Sequence, residues 1–352
     1  MLWLGLFYFI RVNFIQAITP MKTAQYRLID YPEGRRVADF WQLSHDPVQQ
    51  LASGQVKLRV DWISVDPGMS GWITNKRSYM PPVKPGEVMR AFGVGEVIES
   101  SCDTLTEGDV VTGFTGVTTH AVLPARHLRI VDTTVAPAQL YLSALGMTGY
   151  TAYFGMTDIG RPQPGETVVV SSAAGAVGSI AAQLARQHGA RVVGIAGGPQ
   201  KKAFLLDELQ LDAAIDYRNE EIAAALKKTA PAGIDVYFDN VGGEILDAAL
   251  MQMNRHGRIV VCGGISQYSD WEQASGPANY MQIVTHSLTM QGFTMRDYMD
   301  RISEALTALF NGYQDGSLKF RQHVLEGIER FPEAYDMLFN GHNQGKLLIK
   351  IT

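Results

Sequence analysis

The pattern of hydrophobic and polar positions changes period part-way along the chain. Between residues 22 and 135, short runs of β character are broken by turn residues. Val56-Lys57-Leu58-Arg59-Val60 alternates strictly with period two, and residues 93–98 and 109–113 read as further strands with glycine at their bends. Pro81-Pro82 and Pro85-Gly86 mark loops. From residue 136 the grammar is different. A helical stretch over 140–154 leads to the turn Pro162-Gln163-Pro164-Gly165-Glu166. Apolar strands at 167–170, 192–195, 235–238 and 258–261 then alternate with helices at 178–187, 201–209 and 246–253. Short continuous apolar runs between helices predict a parallel sheet covered on both faces. A helix over 298–311 and a closing strand over 346–351 complete the pattern. The prediction is an α/β protein in which a doubly wound parallel sheet is joined to a β-rich domain.

Residues 1–20 stand outside this pattern. Residues 1–10 form an apolar run, followed by Arg11, Val12, Phe14, Ile15 and Ile18. The run is shorter than the roughly 20 residues that span a bilayer. It also lacks the positive flank and small-residue exit of a signal peptide. Residues 1–20 therefore read as a non-native or misassigned extension, with Met21 as the functional start; a membrane anchor is the competing reading.

Composition narrows the function classes. At 352 residues, 46% hydrophobic and 18% charged, the chain can bury about two domain cores. Thirty Lys and Arg against 35 Asp and Glu give a net charge of −5 with no basic block, so neither nucleic acid nor an anionic membrane is an expected partner. Cys102 and Cys262 make neither a disulfide framework nor a cysteine zinc site, and suit a reducing, cytoplasmic compartment. The eight histidines show no metal-binding spacing, so no metal site is expected. Glycine is in excess, 35 residues against a usual ~7%.

That excess acquires meaning at Ser171-Ser172-Ala173-Ala174-Gly175-Ala176-Val177-Gly178, which follows a buried strand and opens an apolar-faced helix. This is the position of a Rossmann-type dinucleotide fingerprint, with Ala173, Gly175 and Gly178 in its three small-residue places. Ala174, Gly175, Ala176, Val177 and Gly178 would then face a pyrophosphate at the helix N-terminus. The next strand runs into Ala196-Gly197-Gly198-Pro199-Gln200-Lys201-Lys202. The Asp or Glu that would hold a ribose 2′-hydroxyl is missing, and two lysines follow. They suit the 2′-phosphate of NADP(H), the alternative being a solvated first helical turn.

Further motifs carry a family resemblance over the chain from about Leu58 onwards. They are Ser64-Val65-Asp66-Pro67, the segment 146–153, Tyr237-Phe238-Asp239-Asn240-Val241-Gly242-Gly243, Cys262-Gly263-Gly264-Ile265-Ser266-Gln267-Tyr268, Gln291-Gly292-Phe293-Thr294-Met295 and Gly345-Lys346. Together the set resembles zinc-independent medium-chain dehydrogenases/reductases, within them the prostaglandin reductase and curcumin reductase group of NADP-dependent alkenal/one oxidoreductases. The resemblance implies a GroES-like catalytic domain from residues 21–145 and 297–352, an NADP-binding Rossmann domain over 146–296, and a homodimer.

It also implies site residues. Lys201 matches the lysine that pairs with the 2′-phosphate, and Tyr217 a tyrosine near the same end, where Gly198 lies. Asn240 matches an asparagine over the cofactor, Asn343 a C-terminal cofactor contact, and Met147 a residue beside the nicotinamide. Cys262, Gly263, Ile265 and Ser266, with Phe293, Thr294 and Met295, match segments whose backbone flanks that ring. Tyr268 is the expected catalytic residue, a phenol near the substrate carbonyl, although the nicotinamide ribose hydroxyl is a competing donor. The expected reaction is reduction of the carbon–carbon double bond of an apolar enone or enal. A quinone oxidoreductase and a cofactor-holding protein without turnover are its rivals. One departure stands out: where many relatives read Asp-Pro-Tyr-Met-Arg, this chain has Asp66-Pro67-Gly68-Met69-Ser70. The loop from Ser269 is a further expected substrate-side element, and Trp72, Tyr79 and Trp271 are either cleft lining or ordinary core.

Overall fold

The computed structural model describes residues 21–32, 37–75, 78–268 and 275–351. The expectations for residues 1–20, for Trp271 and for the loop at 269–272 lie outside the described residues. The chain opens with an antiparallel pair, β1 (Lys22–Leu28) and β2 (Trp41–Pro47). Then come β3 (Gln55–Ser64), β4 (Phe92–Ser100), β5 (Val110–Phe114), β6 (His120–Pro124) and β7 (Arg129–Ile130). The period-two pattern of β3 has its physical counterpart in the fold. Val56, Leu58 and Val60 are buried completely, while Lys57 and Arg59 reach out to Glu99 and Glu96 on the neighbouring β4.

The second half alternates as the apolar runs predict. It comprises α1 (Met147–Phe154), β8 (Thr167–Val170), α2 (Ala176–Gln187), β9 (Arg191–Ala196), α3 (Pro199–Ala203), β10 (Ala213–Asp216) and α4 (Ile222–Thr229). After these come β11 (Ile234–Asp239), α5 (Gly243–Leu250), β12 (Met253–Val261), α6 (Gln282–Thr285) and β13 (Thr289–Gly292). The six strands are all parallel, in the order β10-β9-β8-β11-β12-β13. Val168 and Val170 pack into one core and Val169 into the other, so successive side chains of β8 meet covered faces on both sides. Chain order reverses between β8 and β11, which opens a crevice at their carboxyl ends.

The C-terminal part supplies α7 (Ile302–Gln314), β14 (Gln322–Glu326), α8 (Phe331–Phe339) and β15 (Lys346–Lys350). β14 and β15 return to the β-rich half and complete a seven-stranded sheet ordered β14-β15-β3-β4-β5-β7, with β6 also on β3. Helix α7 instead packs on α1. Among the described residues, no helix is long and apolar enough to cross a membrane.

Several predicted boundaries move. The helix expected over 140–154 is interrupted: Ala138–Leu142 is a 3-10 turn, and the α-helix starts at Met147. Ser143 leaves helical geometry (φ −128°, ψ −106°) and its hydroxyl donates back towards the Gln139 and Leu140 carbonyls. The helix expected over 246–253 stops at Leu250, because Met253 already belongs to β12. β10, α4, β14 and α8 are too short, at four to nine residues, for periodicity to reveal them.

Candidate active site

The crevice begins at the turn between β8 and α2. Ser172 takes a left-handed conformation (φ 49°), and the chain then folds so tightly that a Cβ on Gly178 would sit 2.3 Å from the Ser172 carbonyl oxygen. That contact is with backbone and cannot swing away, so glycine is required there for the helix to meet the strand. Gly175 is the N-cap of α2, which places Ala176, Val177 and Gly178 in its first turn, where N–H groups lack intrahelical acceptors. The Ala174 carbonyl accepts the Gly345 N–H at 3.1 Å, and Asn343 Nδ2 donates to the Gly345 carbonyl at 2.9 Å. Asn343 is thereby brought beside the turn from the far end of the chain.

At the end of β9, the Gly198 N–H donates to the Asp216 carboxylate at 2.6 Å, and the Tyr217 ring lies against Gly197. Lys201 Nζ donates to the Gly341 carbonyl at 2.9 Å, and the Arg218 guanidinium to the Asn340 carbonyl at 2.9 Å. Lys202 turns away and pairs with Glu220 at 2.6 Å. Lys201 and Arg218 thus converge on one turn, with only carbonyls as partners among the described residues. Burial, and then the neighbouring Arg218, hold the Lys201 ammonium below its usual pKa. An incoming dianion would reverse that shift. Binding of a 2′-phosphorylated dinucleotide is therefore expected to take up protons, and its affinity to fall as pH rises through the lowered lysine pKa. Dissociation constants for NADPH and NADH measured across alkaline pH check this; parallel curves for the two would contradict it.

At the other end of the crevice, Asp239 is 1% exposed and organises the loop after β11. Its Oδ1 accepts from the Ser171 and Tyr237 hydroxyls and from the Val241 and Gly242 N–H groups, all within 3.0–3.1 Å. Burial raises its pKa against these bonds. Asn240 Nδ2 donates to the Ser171 carbonyl at 2.7 Å, tying the loops after β8 and β11 together. The N–H groups of Cys262 and Gly263 donate to the Asp239 carbonyl, that of Ile265 to Asn240, and that of Ser266 to Val241. The Ser266 hydroxyl is also spent on the Val241 carbonyl, and burial pushes the Cys262 thiol up to about 12.

Phe293 lies against Gly155 and Phe238 helps to frame the same place, while Thr294 caps the following 3-10 helix with Asp297. Met147 and Met295 border one core cluster. With these side chains and the Cys262, Gly263, Ile265, Ser266 and Thr294 N–H groups so engaged, what the Cys262–Ser266 and Phe293–Met295 segments can offer a planar ring is mainly backbone C=O.

Tyr268 follows the 3-10 turn Ile265–Gln267, and its hydroxyl accepts the Gly264 N–H at 3.2 Å. Burial is the main influence on its pKa and raises it, with smaller upward contributions from Cys262, Tyr79 and Asp239, so the group stays protonated at neutral pH. Asp239, Gly242, Cys262, Gly263 and Tyr268 line a cleft of about 340 Å³. Trp72 is core, at 4% exposed, whereas Tyr79 is 48% exposed.

Two features had no local sequence signal. Arg218 joins Lys201 only through the folding of the 340–341 turn. Lys346, 3% exposed, pairs with Asp66, which Ser64 Oγ also contacts, so the turn between β8 and α2 connects through Gly345 and Lys346 to the Asp66-Pro67-Gly68 loop. Among the described residues, no three His, Cys, Asp or Glu side chains gather to hold a metal ion.

A parallel sheet with a glycine-bounded turn at its switch point, joined to a β-rich half, defines a two-domain dinucleotide-binding protein. Residues 24–131 match the family model described as the N-terminal domain of oxidoreductase, and residues 176–311 that described as zinc-binding dehydrogenase. The chain is 42% identical over 331 residues to YfmJ of Bacillus subtilis, which carries the name of an NADP-dependent oxidoreductase, covering 93% of this chain and 97% of that one. It is 34% identical to the NADPH-dependent curcumin reductase of Escherichia coli, covering 92% and 95% of the two chains. The crystal structure of CurA from Vibrio vulnificus in complex with NADPH superposes with a TM-score of 0.89 at 34% identity, covering 94% of this chain and 99% of that one. The chain belongs to the medium-chain dehydrogenase/reductase family, in the group that includes the curcumin, prostaglandin and 2-alkenal reductases.

Proposed function

We propose that this protein reduces the carbon–carbon double bond of α,β-unsaturated ketones and aldehydes with NADPH, without zinc. In this reading residues 146–296 are the cofactor domain, and residues 21–145 with 297–352 are the substrate-side domain. The observation that carries it is the position of Tyr268, a protonated phenol on the loop after β12 beside the crevice. The close backbone approach at Gly178 and the carbonyl-bound pair Lys201 and Arg218 fit a 2′-phosphorylated dinucleotide. The relatives' names, curcumin reductase and 2-alkenal reductase among them, support the choice of bond.

When bound, NADPH supplies a hydride from its nicotinamide ring. Lys201 and Arg218 hold the 2′-phosphate, and the first turn of α2 receives the pyrophosphate. Backbone groups of Cys262, Gly263, Ile265, Ser266 and the Phe293–Met295 segment, with Met147 alongside, fix the ring's orientation; Asn240 and Asn343 brace the loops around it. Tyr268 donates to the carbonyl oxygen of the substrate as the β-carbon gains its hydrogen and negative charge moves to that oxygen. The α-carbon then takes a proton from solvent.

NADPH oxidation followed spectroscopically over a panel of enones, enals and quinones, with product masses, tests the reading. Tyr268→Phe is expected to lower kcat on enones by about ten- to a hundredfold with NADPH affinity unchanged. Turnover of quinones alone, or NADPH binding with no turnover, would replace it. The exposed edge β13 and exposed Tyr280, Met281 and Val284 near it support a homodimer, measurable by light scattering. Two free cysteines are in keeping with a reducing, cytoplasmic compartment.

A further inference from the structure

Asp239 carries a charge that its hydrogen bonds do not require. It is buried at the carboxyl end of β11, beside the switch point. Its four donors are all neutral, being the Ser171 and Tyr237 hydroxyls and the Val241 and Gly242 N–H groups. All four bonds end on Oδ1, where an amide oxygen would accept them as well. No cation pairs with the carboxylate among the described residues. A buried carboxylate without a cation is costly, so the bonds account for the oxygen but not for the charge.

The loop next to it shows where that charge acts. The Asp239 carbonyl accepts the Cys262 and Gly263 N–H groups at 2.9 and 3.1 Å, which sets the residue directly beside the Cys262–Ser266 segment. With Cys262, Gly263 and Tyr268, Asp239 borders the cleft. Burial and then the Asp239 charge push the Cys262 thiol up, whereas at the Tyr268 phenol the contribution of Asp239 comes after those of Cys262 and Tyr79. The carboxylate thus acts on the Cys262 end of the cleft more than on the phenol.

We propose that Asp239 is an electrostatic partner of the nicotinamide ring, its buried carboxylate favouring the oxidised, positively charged ring over the reduced, neutral one. This rests on the reading of Cys262–Ser266 as the segment that flanks that ring in an NADPH-dependent reductase. When a hydride, one hydrogen with its electron pair, passes from the ring to the β-carbon, the ring gains a positive charge and the substrate oxygen a negative one. Asp239 answers the first and Tyr268 the second, from opposite ends of one cleft.

Dissociation constants for NADP+ and NADPH, measured by calorimetry on the wild type, Asp239→Asn and the smaller Asp239→Ser, test this without any turnover. Melting temperatures are the companion readout. The wild type is expected to bind NADP+ at least as tightly as NADPH. Removing the charge is expected to weaken NADP+ roughly tenfold more than NADPH, the scale for two unit charges about 10 Å apart at an effective dielectric of about 20. Tyr237→Phe removes one donor but keeps the charge, so it is expected to leave the ratio of the two constants unchanged. Equal weakening of both forms by the neutral variants is what a purely structural role produces, and it overturns the proposal. A wild type that prefers NADPH overturns it without any variant. Binding of neither form overturns both this proposal and the reading beneath it, whereas the expected ratios without enone turnover overturn only the reaction.

Discussion

Lys346→Met is expected to destabilise the protein by about 3–5 kcal/mol, the scale for removing one partner of a buried ion pair. The Lys346 side chain is 3% exposed and that of Asp66 20%, so the carboxylate left behind would keep only the Ser64 hydroxyl and limited water. An exposed pair sets the contrast. Arg330 and Glu333 are 45% and 51% exposed, and Arg330→Met should leave stability almost unchanged, because solvent screens both charges. Replacing Asp66 and Lys346 together by leucine and methionine should recover much of the single-variant loss, since no charge is then stranded. Denaturant unfolding of the four proteins measures these differences. A Lys346→Met loss no larger than that of Arg330→Met would show that water reaches the pair. Because Gly345 bonds to the Ala174 carbonyl, the same variant should also weaken dinucleotide binding.

The second large effect concerns cofactor choice. Lys201→Ala combined with Arg218→Ala is expected to raise the NADPH dissociation constant by about a hundredfold or more, at roughly 1.5–3 kcal/mol for each charged hydrogen bond. NADH, which carries no 2′-phosphate, should bind both proteins alike. Lys201 should account for more of the loss, since Arg218 is exposed and its charge is screened by water and salt. Fluorescence titration of both cofactors decides the matter; equal weakening of NADPH and NADH would place the 2′-phosphate elsewhere.

How much of this was legible beforehand follows from the range of the interactions concerned. The Thr167-Val168-Val169-Val170 run, the small-residue turn and the apolar helix after it are local patterns, and the structure has them as β8, the turn at Ser172 and α2. The absence of an acid after β9 is equally local. Boundaries were less legible where tertiary contacts compete with helix propensity, as at Ser143, or where β12 starts within the expected helix. Trp72 and Tyr79 looked alike as aromatic residues near one loop, yet one is core and the other rests on Gly68 in solvent reach.

Local pattern alone specified the parallel α/β half, the tight small-residue turn between β8 and α2 with Gly178 at its narrowest point, and a lysine just after β9. All of these depend on neighbours within one or two elements. Only the tertiary structure decided that Arg218 and Gly341 close around Lys201, that Gly345 reaches Ala174, that Lys346 is buried against Asp66, and that Tyr79 covers Gly68. Those pairings join segments that no periodicity connects, because they are fixed by how the two sheets dock rather than by spacing along the chain.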